Sequence, residues 1–439
     1  MKRREFLKSL ALATGTTALS APLSKLYAAP EDYSGRLLLV LQADGGWDVT
    51  SLCDPKMNVR GQLEINHWAR TQDIQTAGGI NYAPFANNAA LFEKYHSYMM
   101  VINGVDAQTN SHSTGVLHNW SGRNALGYPT LTAMFAAQNT PELPLAYINF
   151  GGFADAARLI RYNRLDDVYA LYELLQPNSI TWDPGRSIRR PEELSRIEAY
   201  QQASMQRQLA GNTITPRQRY NLESYLSARS TADGLARFTD VLPPSADDFE
   251  GAIEIHEDLG ETWVLRDAQL AILAFEAGVS SAADLFTSGF DTHTDHDEQH
   301  TGLFNALERT IDYIWSYAEQ RGVADRLTLV IGSDFSRTPH YNADDGKDHW
   351  PIGSFIVMEK NAPWGSRQVG LTDEGHNALR INPNTLQRDD NNGTIIYPKH
   401  VHKALRRYLG MESSSVDADF MFTNTEDFDF FNPSLTTQG

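Results

Sequence analysis

The chain has 439 residues, 41% hydrophobic and 21% charged, with a formal net charge of −18. That excess of acid excludes polyanion binding, and so nucleic acid, as the main task. Cys53 is the only cysteine, which excludes an intramolecular disulfide and leaves a small buried apolar residue as its expected role.

The first residues read as an export signal. Lys2-Arg3-Arg4-Glu5-Phe6-Leu7-Lys8 is a twin-arginine motif, followed by a modestly apolar run from Leu10 to Leu19, with Tyr27-Ala28-Ala29 near a cleavage point. The run is too short, and too rich in Thr, Ser and Gly, to span a bilayer. Residues 1–29 are therefore expected to be a signal peptide and 30–439 the mature protein, with the twin-arginine translocation machinery as partner. No later apolar stretch is long enough for a membrane helix, so no stable membrane insertion is expected after cleavage, and the location is periplasmic or secreted. The leader is basic, and its removal takes the net charge from −18 to about −22.

The mature part alternates strands and helices. Arg36–Gln42 is a continuous apolar run ended by Asp-Gly-Gly, the pattern of a strand buried on both faces. Further strands are predicted at Tyr98–Asn103, Leu145–Phe150, within Ala282–Phe290, at Arg326–Ile331 and at Ser354–Met358. Helical patterns fall between several of them, at Thr114–Trp120, Thr130–Ala137, Trp263–Ala277 and Gly302–Gln320; the last places Leu303, Leu307, Ile311 and Ile314 on one face. This order predicts an α/β fold with a mostly parallel central sheet flanked by helices. About residues 191–242 the chain is polar and helical in pattern, read as a helical insertion or as ordinary surface helices. The Phe-rich acidic tail after Met411 is expected to pack back on the domain.

Five clusters carry the candidate chemistry. Asp44-Gly45-Gly46-Trp47-Asp48 follows the first strand; the glycines allow close approach to the Asp44 carboxylate, although a strand-end turn would use the same residues. Ser111-His112-Ser113 opens a helix, where a hydroxyl is either a nucleophile facing an anion or a cap. His112 is a ligand, a base or a hydrogen-bonded core residue. Asp291 and His293 lie two apart in extended chain and reach one side together. His296 and His300 share a helix face, His300 as a further ligand candidate and His296 as a solvated helix-start residue. Asp334 leaves the clearest strand, with Arg337 close enough to neutralise an oxyanion. Asp348 precedes His349 and is placed to orient it. Asp and His without thiol suit a hydrolytic metal site. There is no Walker loop, GxGxxG, GxSxG or CxxC motif, which excludes kinases, dinucleotide enzymes, ordinary serine hydrolases and thiol redox proteins.

The twin-arginine leader, the strand followed by DGG, GFDTH, SDFSRT and the later DHW together resemble a family of exported bacterial proteins of uncharacterised function, similar in fold to the alkaline phosphatase and sulfatase superfamily. The resemblance covers most of the mature chain. It implies two divalent metals, often zinc, with Asp44, Asp291, His293, Asp334 and His349 at the matching positions. The chain departs from the pattern where a sulfatase nucleophile belongs: aligning Ser121-Gly122-Arg123 with the superfamily's Thr-Gly-Arg puts His112 in that register, flanked by Ser111 and Ser113. Phe335 follows Asp334, where the superfamily has a histidine.

The expected function is an exported metal-dependent hydrolase of phosphate or sulfate esters. Asp44, Asp291, His293, Asp334 and His349 would hold a divalent metal, zinc first, with manganese or calcium as alternatives. Arg337 would bind a small anionic substrate, and Ser111, Ser113 or an activated water would attack. The alternative is a catalytically inactive periplasmic binding or assembly protein on the same fold.

Overall fold

Seven residues, Leu37–Ala43, form the first strand, β1, and every one of them is buried. A strand with no polar face needs cover on both sides, and its neighbours supply it. The computed structural model describes residues 33–435 apart from 166, 177, 181, 182, 212, 213, 220 and 223–231, so the leader read from the sequence lies outside the described residues.

The remaining strands of the central sheet are β2 (Met99–Asp106), β3 (Tyr147–Asn149), β4 (Tyr162–Arg164), β5 (Ala282–Thr287), β6 (Leu327–Gly332), β7 (Ile352–Glu359) and β8 (Arg367–Val369). Their order is β8-β2-β7-β6-β1-β5-β3-β4. Only β7 runs against its neighbours; all other pairs are parallel. The flanking helices are α1 (Asn88–Tyr95), α2 (His112–Ser121), α3 (Leu131–Asn139), α4 (Val264–Glu276), α5 (His296–Gln320) and α6 (Pro398–Tyr408). The architecture is thus α/β with a large, mostly parallel sheet between helices. Leu38 and Val40 on one face of β1 join a core with Met134, Phe135 and Leu405, while Leu37, Leu39 and Leu41 alternate to the other face and are equally buried.

Helix α5 begins earlier than its apolar pattern predicted, because His296, Gln299 and His300 in its first turn are also buried. The solvated role expected for His296 is therefore wrong: it is 0% exposed. The short edge strands β4 and β8 left no sequence signal, since three residues hold too little periodicity to read. Phe428 and Phe430 of the tail are buried in the core, and Arg367 donates to the carbonyls of Phe430 (2.9 Å) and Asn432 (2.7 Å).

This fold belongs to the larger unit, residues 32–177 and 237–439. The smaller unit contains Asn178–Ala236. In it an antiparallel ribbon pairs Ser179–Ile180 with Asp183–Ser187, followed by the helix Pro191–Ala210, whose first turn carries Glu192 and Glu193. Those acids complement the helix dipole, and only Met205 of that helix is buried. A further helix runs over Ala232–Val241.

Candidate metal centre

Parallel strands deliver their C-terminal ends to one edge of a sheet, and there the candidate residues gather. Asp44 follows β1, Asp291 and His293 follow β5, and Asp334 follows β6, three strands that are adjacent in the order β6-β1-β5. His112 follows β2. His349 reaches the same edge by preceding β7, the one antiparallel strand, and a ribbon pairing Arg337 with His349 fixes it there.

His112, Asp291 and His349 each offer one ligand atom, all within 4.8 Å of one another. His112 Nε2 lies 3.1 Å from His349 Nε2 and 3.3 Å from Asp291 Oδ2. His293 Nε2 adjoins them, 3.0 Å from Asp291 Oδ1 and 3.2 Å from His349 Nε2. Two ligands of a tetrahedral zinc with bonds of about 2.0–2.1 Å stand about 3.3–3.4 Å apart, so these spacings suit a shared cation.

The outer ring nitrogens decide the protonation. His349 Nδ1 is 2.7 Å from the carbonyl of Asn110, which can only accept, so Nδ1 carries the hydrogen. His293 Nδ1 donates to Asp348 Oδ1 at 2.9 Å, and His112 Nδ1 to Asp334 Oδ2 at 2.5 Å. Each imidazole therefore turns a lone pair inward, toward the other lone pairs and the Asp291 carboxylate. Such crowding is relieved by protons or by a metal, and oriented outer partners are what metal-binding histidines have. The bond to Asp334 raises the His112 pKa, with burial opposing it.

The sequence expected Asp348 to orient His349; instead it orients His293, because the Asn110 carbonyl already holds His349. Asp334 stands behind His112 and spends its other oxygen on the amides of Gly45 (3.1 Å) and Gly46 (2.7 Å) and the Ser333 hydroxyl (2.9 Å). Both glycines have positive φ, +117° and +78°, and a Cβ on Gly45 would lie 2.6 Å from the Asp291 nitrogen. Asp44 is not among the residues whose ligand atoms cluster. Its Oδ1 is buried without a partner, and burial, with Asp334 beside it, pushes its pKa up to about 7. Thus Asp291, His293 and His349 of the expected ligands converge, joined by His112, whereas Asp44 and Asp334 stand outside the cluster of inward-facing groups.

Arg337 does not face an anion site. It is 0% exposed and donates to the Gly46 carbonyl (2.8 Å), the Lys347 carbonyl (3.2 Å), the Gly45 carbonyl and Asp291 Oδ1 (2.8 Å). Burial would raise Asp291, but the charge of the Arg337 guanidinium and its bond outweigh it and hold the pKa down to about 2. Arg337 therefore supports Asp291 from beneath. Ser111 and Ser113 are exposed, and their hydroxyls lie 3.2 Å apart. Ser111 is the N-cap residue of α2 but makes no side-chain capping bond.

Sequence reasoning overlooked a second network behind the first. Asp48, Lys347, His296 and His300 are each 0% exposed. The Asp48 N–H donates to His300 Nε2 (3.2 Å), so the His300 hydrogen sits on Nδ1 and goes to Thr292 Oγ1 (3.0 Å). The Thr292 hydroxyl then donates to His296 Nδ1 (2.8 Å), and His296 Nε2 donates to Asp48 Oδ2 (3.1 Å). Lys347 Nζ closes the set on Asp48 Oδ2 at 2.7 Å. Every ring nitrogen is used, which leaves His300 no lone pair for a metal. Burial lowers the pKa of both histidines, in keeping with neutral rings. The available signal was a lysine directly before Asp348-His349 and an acid four residues after Asp44.

Among solved structures the chain is similar to a Bacteroides thetaiotaomicron protein of glycosaminoglycan metabolism (8% identity, 92% of this chain and 78% of that one, TM-score 0.40). It is also similar to a 2-O GAG sulfatase (9%, 87% and 72%, TM-score 0.32) and to the phosphonate monoester hydrolase of Agrobacterium radiobacter (11%, 85% and 74%, TM-score 0.34). Likeness at this level says nothing of what this chain acts on. No curated protein matches it. The chain belongs to the family described as "Protein of unknown function (DUF1501)", which matches residues 36–396.

Proposed function

We propose that this protein is an exported, metal-dependent hydrolase of phosphate or sulfate esters. The observation that carries the reading is the convergence of inward lone pairs from His112, His293 and His349 on the Asp291 carboxylate. His112, Asp291 and His349 would hold a divalent cation, with His293 beside them as a further donor. Three nitrogens to one oxygen suit zinc or manganese and argue against calcium, which is held by oxygens. A bound divalent cation there supplies Lewis-acid polarisation of an anionic ester.

The chain's own residues do the rest. Asp334, Asp348 and the Asn110 carbonyl keep each ring nitrogen aimed inward. Arg337 keeps Asp291 ionised. Its guanidinium is spent beneath the site, so the charge of a small anionic substrate would have to be met by a bound cation and not by Arg337. The twin-arginine machinery as partner, a signal at 1–29 and a periplasmic or secreted location belong to the same reading, supported by the motif at Arg3-Arg4, and the helix Pro191–Ala210 supports a helical insertion at about 191–242. Among the described residues, no helix is long and apolar enough to cross a membrane.

The test is elemental analysis of the purified mature protein, followed by hydrolysis of p-nitrophenyl phosphate and p-nitrophenyl sulfate with added zinc or manganese. A folded, metal-free protein inactive on both under all conditions rejects the proposal. The second reading, a binding or assembly protein without turnover, is favoured by the position of Ser111 and Ser113, whose hydroxyls meet each other rather than the cluster. Tight metal retention with no hydrolysis would select it.

A further inference from the structure

A separate cleft of about 720 Å³ opens between α1, α5 and the strand Ile253–His256. None of its lining residues belongs to the metal centre. Its volume falls within the range of about 300–1,000 Å³ common to small-molecule sites. Leu91 and Ile253 give it an apolar wall.

One group in that wall is out of keeping with it. Glu308 is 5% exposed, and its carboxylate meets no side-chain donor, with only the Asn87 backbone N–H placed to favour its charge. Asn305, three residues earlier on the same face of α5, has a buried Oδ1 without a hydrogen-bond partner. The lysine in the cleft does not serve them: Lys94 pairs with Asp312, which also accepts from the Tyr95 hydroxyl at 2.7 Å. The other charged lining residues, Arg309 and Glu254, offset each other in sign. A buried carboxyl so poorly served is costly to ionise, and burial pushes Glu308 up to about 8 against the lowering effect of the Asn87 N–H. Two neighbouring acceptors beside an apolar wall, in a strongly acidic protein, call for a positively charged donor on an apolar body.

We propose that this cleft binds an organic ammonium ion, its NH3+ group donating to Glu308 and Asn305 and its alkyl chain lying along Leu91 and Ile253. The carboxyl gains donors beyond the Asn87 N–H, and the cation exchanges water for charge-assisted bonds.

Calorimetric titration of the full chain at pH 8 with hexylammonium tests this, with hexanol as the neutral counterpart. Wild type should bind hexylammonium at least about tenfold more tightly than hexanol, and Glu308→Gln should lose at least about tenfold in affinity, the scale of one hydrogen bond to a charged group. Gln keeps the shape and removes a buried acid, so circular dichroism should show a folded variant. Ala90→Trp, at an exposed lining position, should obstruct entry. Equal binding of hexanol, unchanged binding by either variant, or no binding of butyl- to octylammonium by folded wild type overturns the proposal.

Discussion

His349 Nδ1 donates to the backbone carbonyl of Asn110 at 2.7 Å, and this one bond fixes the tautomer of the imidazole nearest the middle of the cluster. A carbonyl cannot donate, so the Nε2 lone pair must point at His112, His293 and Asp291. For His112 and His293 the same duty falls to side chains, Asp334 and Asp348, which mutation can reach.

Asp348→Asn should therefore weaken zinc binding by about 10–100-fold with little effect on stability, because Asp348 is exposed and acts through His293. Competition with a chromogenic zinc chelator measures it. An unchanged affinity would remove His293 from the ligand set.

Arg337→Lys is not a conservative change here. Lysine cannot serve the carbonyls of Gly45, Gly46 and Lys347 together with Asp291, which the guanidinium fork spans. We expect a loss of about 3–5 kcal/mol from the stranded acceptors, read as a lower urea midpoint. A variant of wild-type stability with weaker substrate binding would instead return Arg337 to the anion-binding role.

Ser111→Ala combined with Ser113→Ala should keep its metal and its hydrolytic rate, since neither hydroxyl adjoins the inward nitrogens. A rate that collapses while metal content holds would show a seryl nucleophile.

Asp284 lies in the middle of β5, fully buried, with the Tyr147 hydroxyl donating to it. Burial pushes its pKa from 3.8 up to about 7, against the opposing bonds from Tyr147, Thr132 and Asn149. The folded state thus keeps a proton that the unfolded chain gives up above about pH 4. The sign follows: this group's contribution is fully present below the unfolded value and is lost as pH rises through about 7. Asp284→Asn should remove up to about 1.4 kcal/mol per pH unit from the slope of stability against pH between 4 and 7. Urea unfolding of both proteins across that range reads the difference, and parallel slopes would contradict it.

The main strands were legible because a strand buried on both faces is written as a nearly continuous apolar run, as the stretches Leu37–Leu41, Leu329–Ile331 and Phe355–Met358 are. That acids and imidazoles follow those runs was equally plain, since their order is local. The sequence alone determined that such groups would collect at the sheet's C-terminal edge. Only the tertiary structure decided which of them face inward. His112 enters the cluster because α2 packs closely on Asp334, where a Cβ on Gly115 would lie 2.7 Å from the Asp334 carbonyl oxygen. Asp334 stays behind His112 because two glycine amides from the neighbouring loop claim one of its oxygens and the His112 Nδ1–H takes the other. Arg337 is submerged because the same loop's carbonyls lie over it. Each outcome depends on which donor meets which acceptor between segments some 200 to 300 residues apart, a competition that spacing along one strand does not encode.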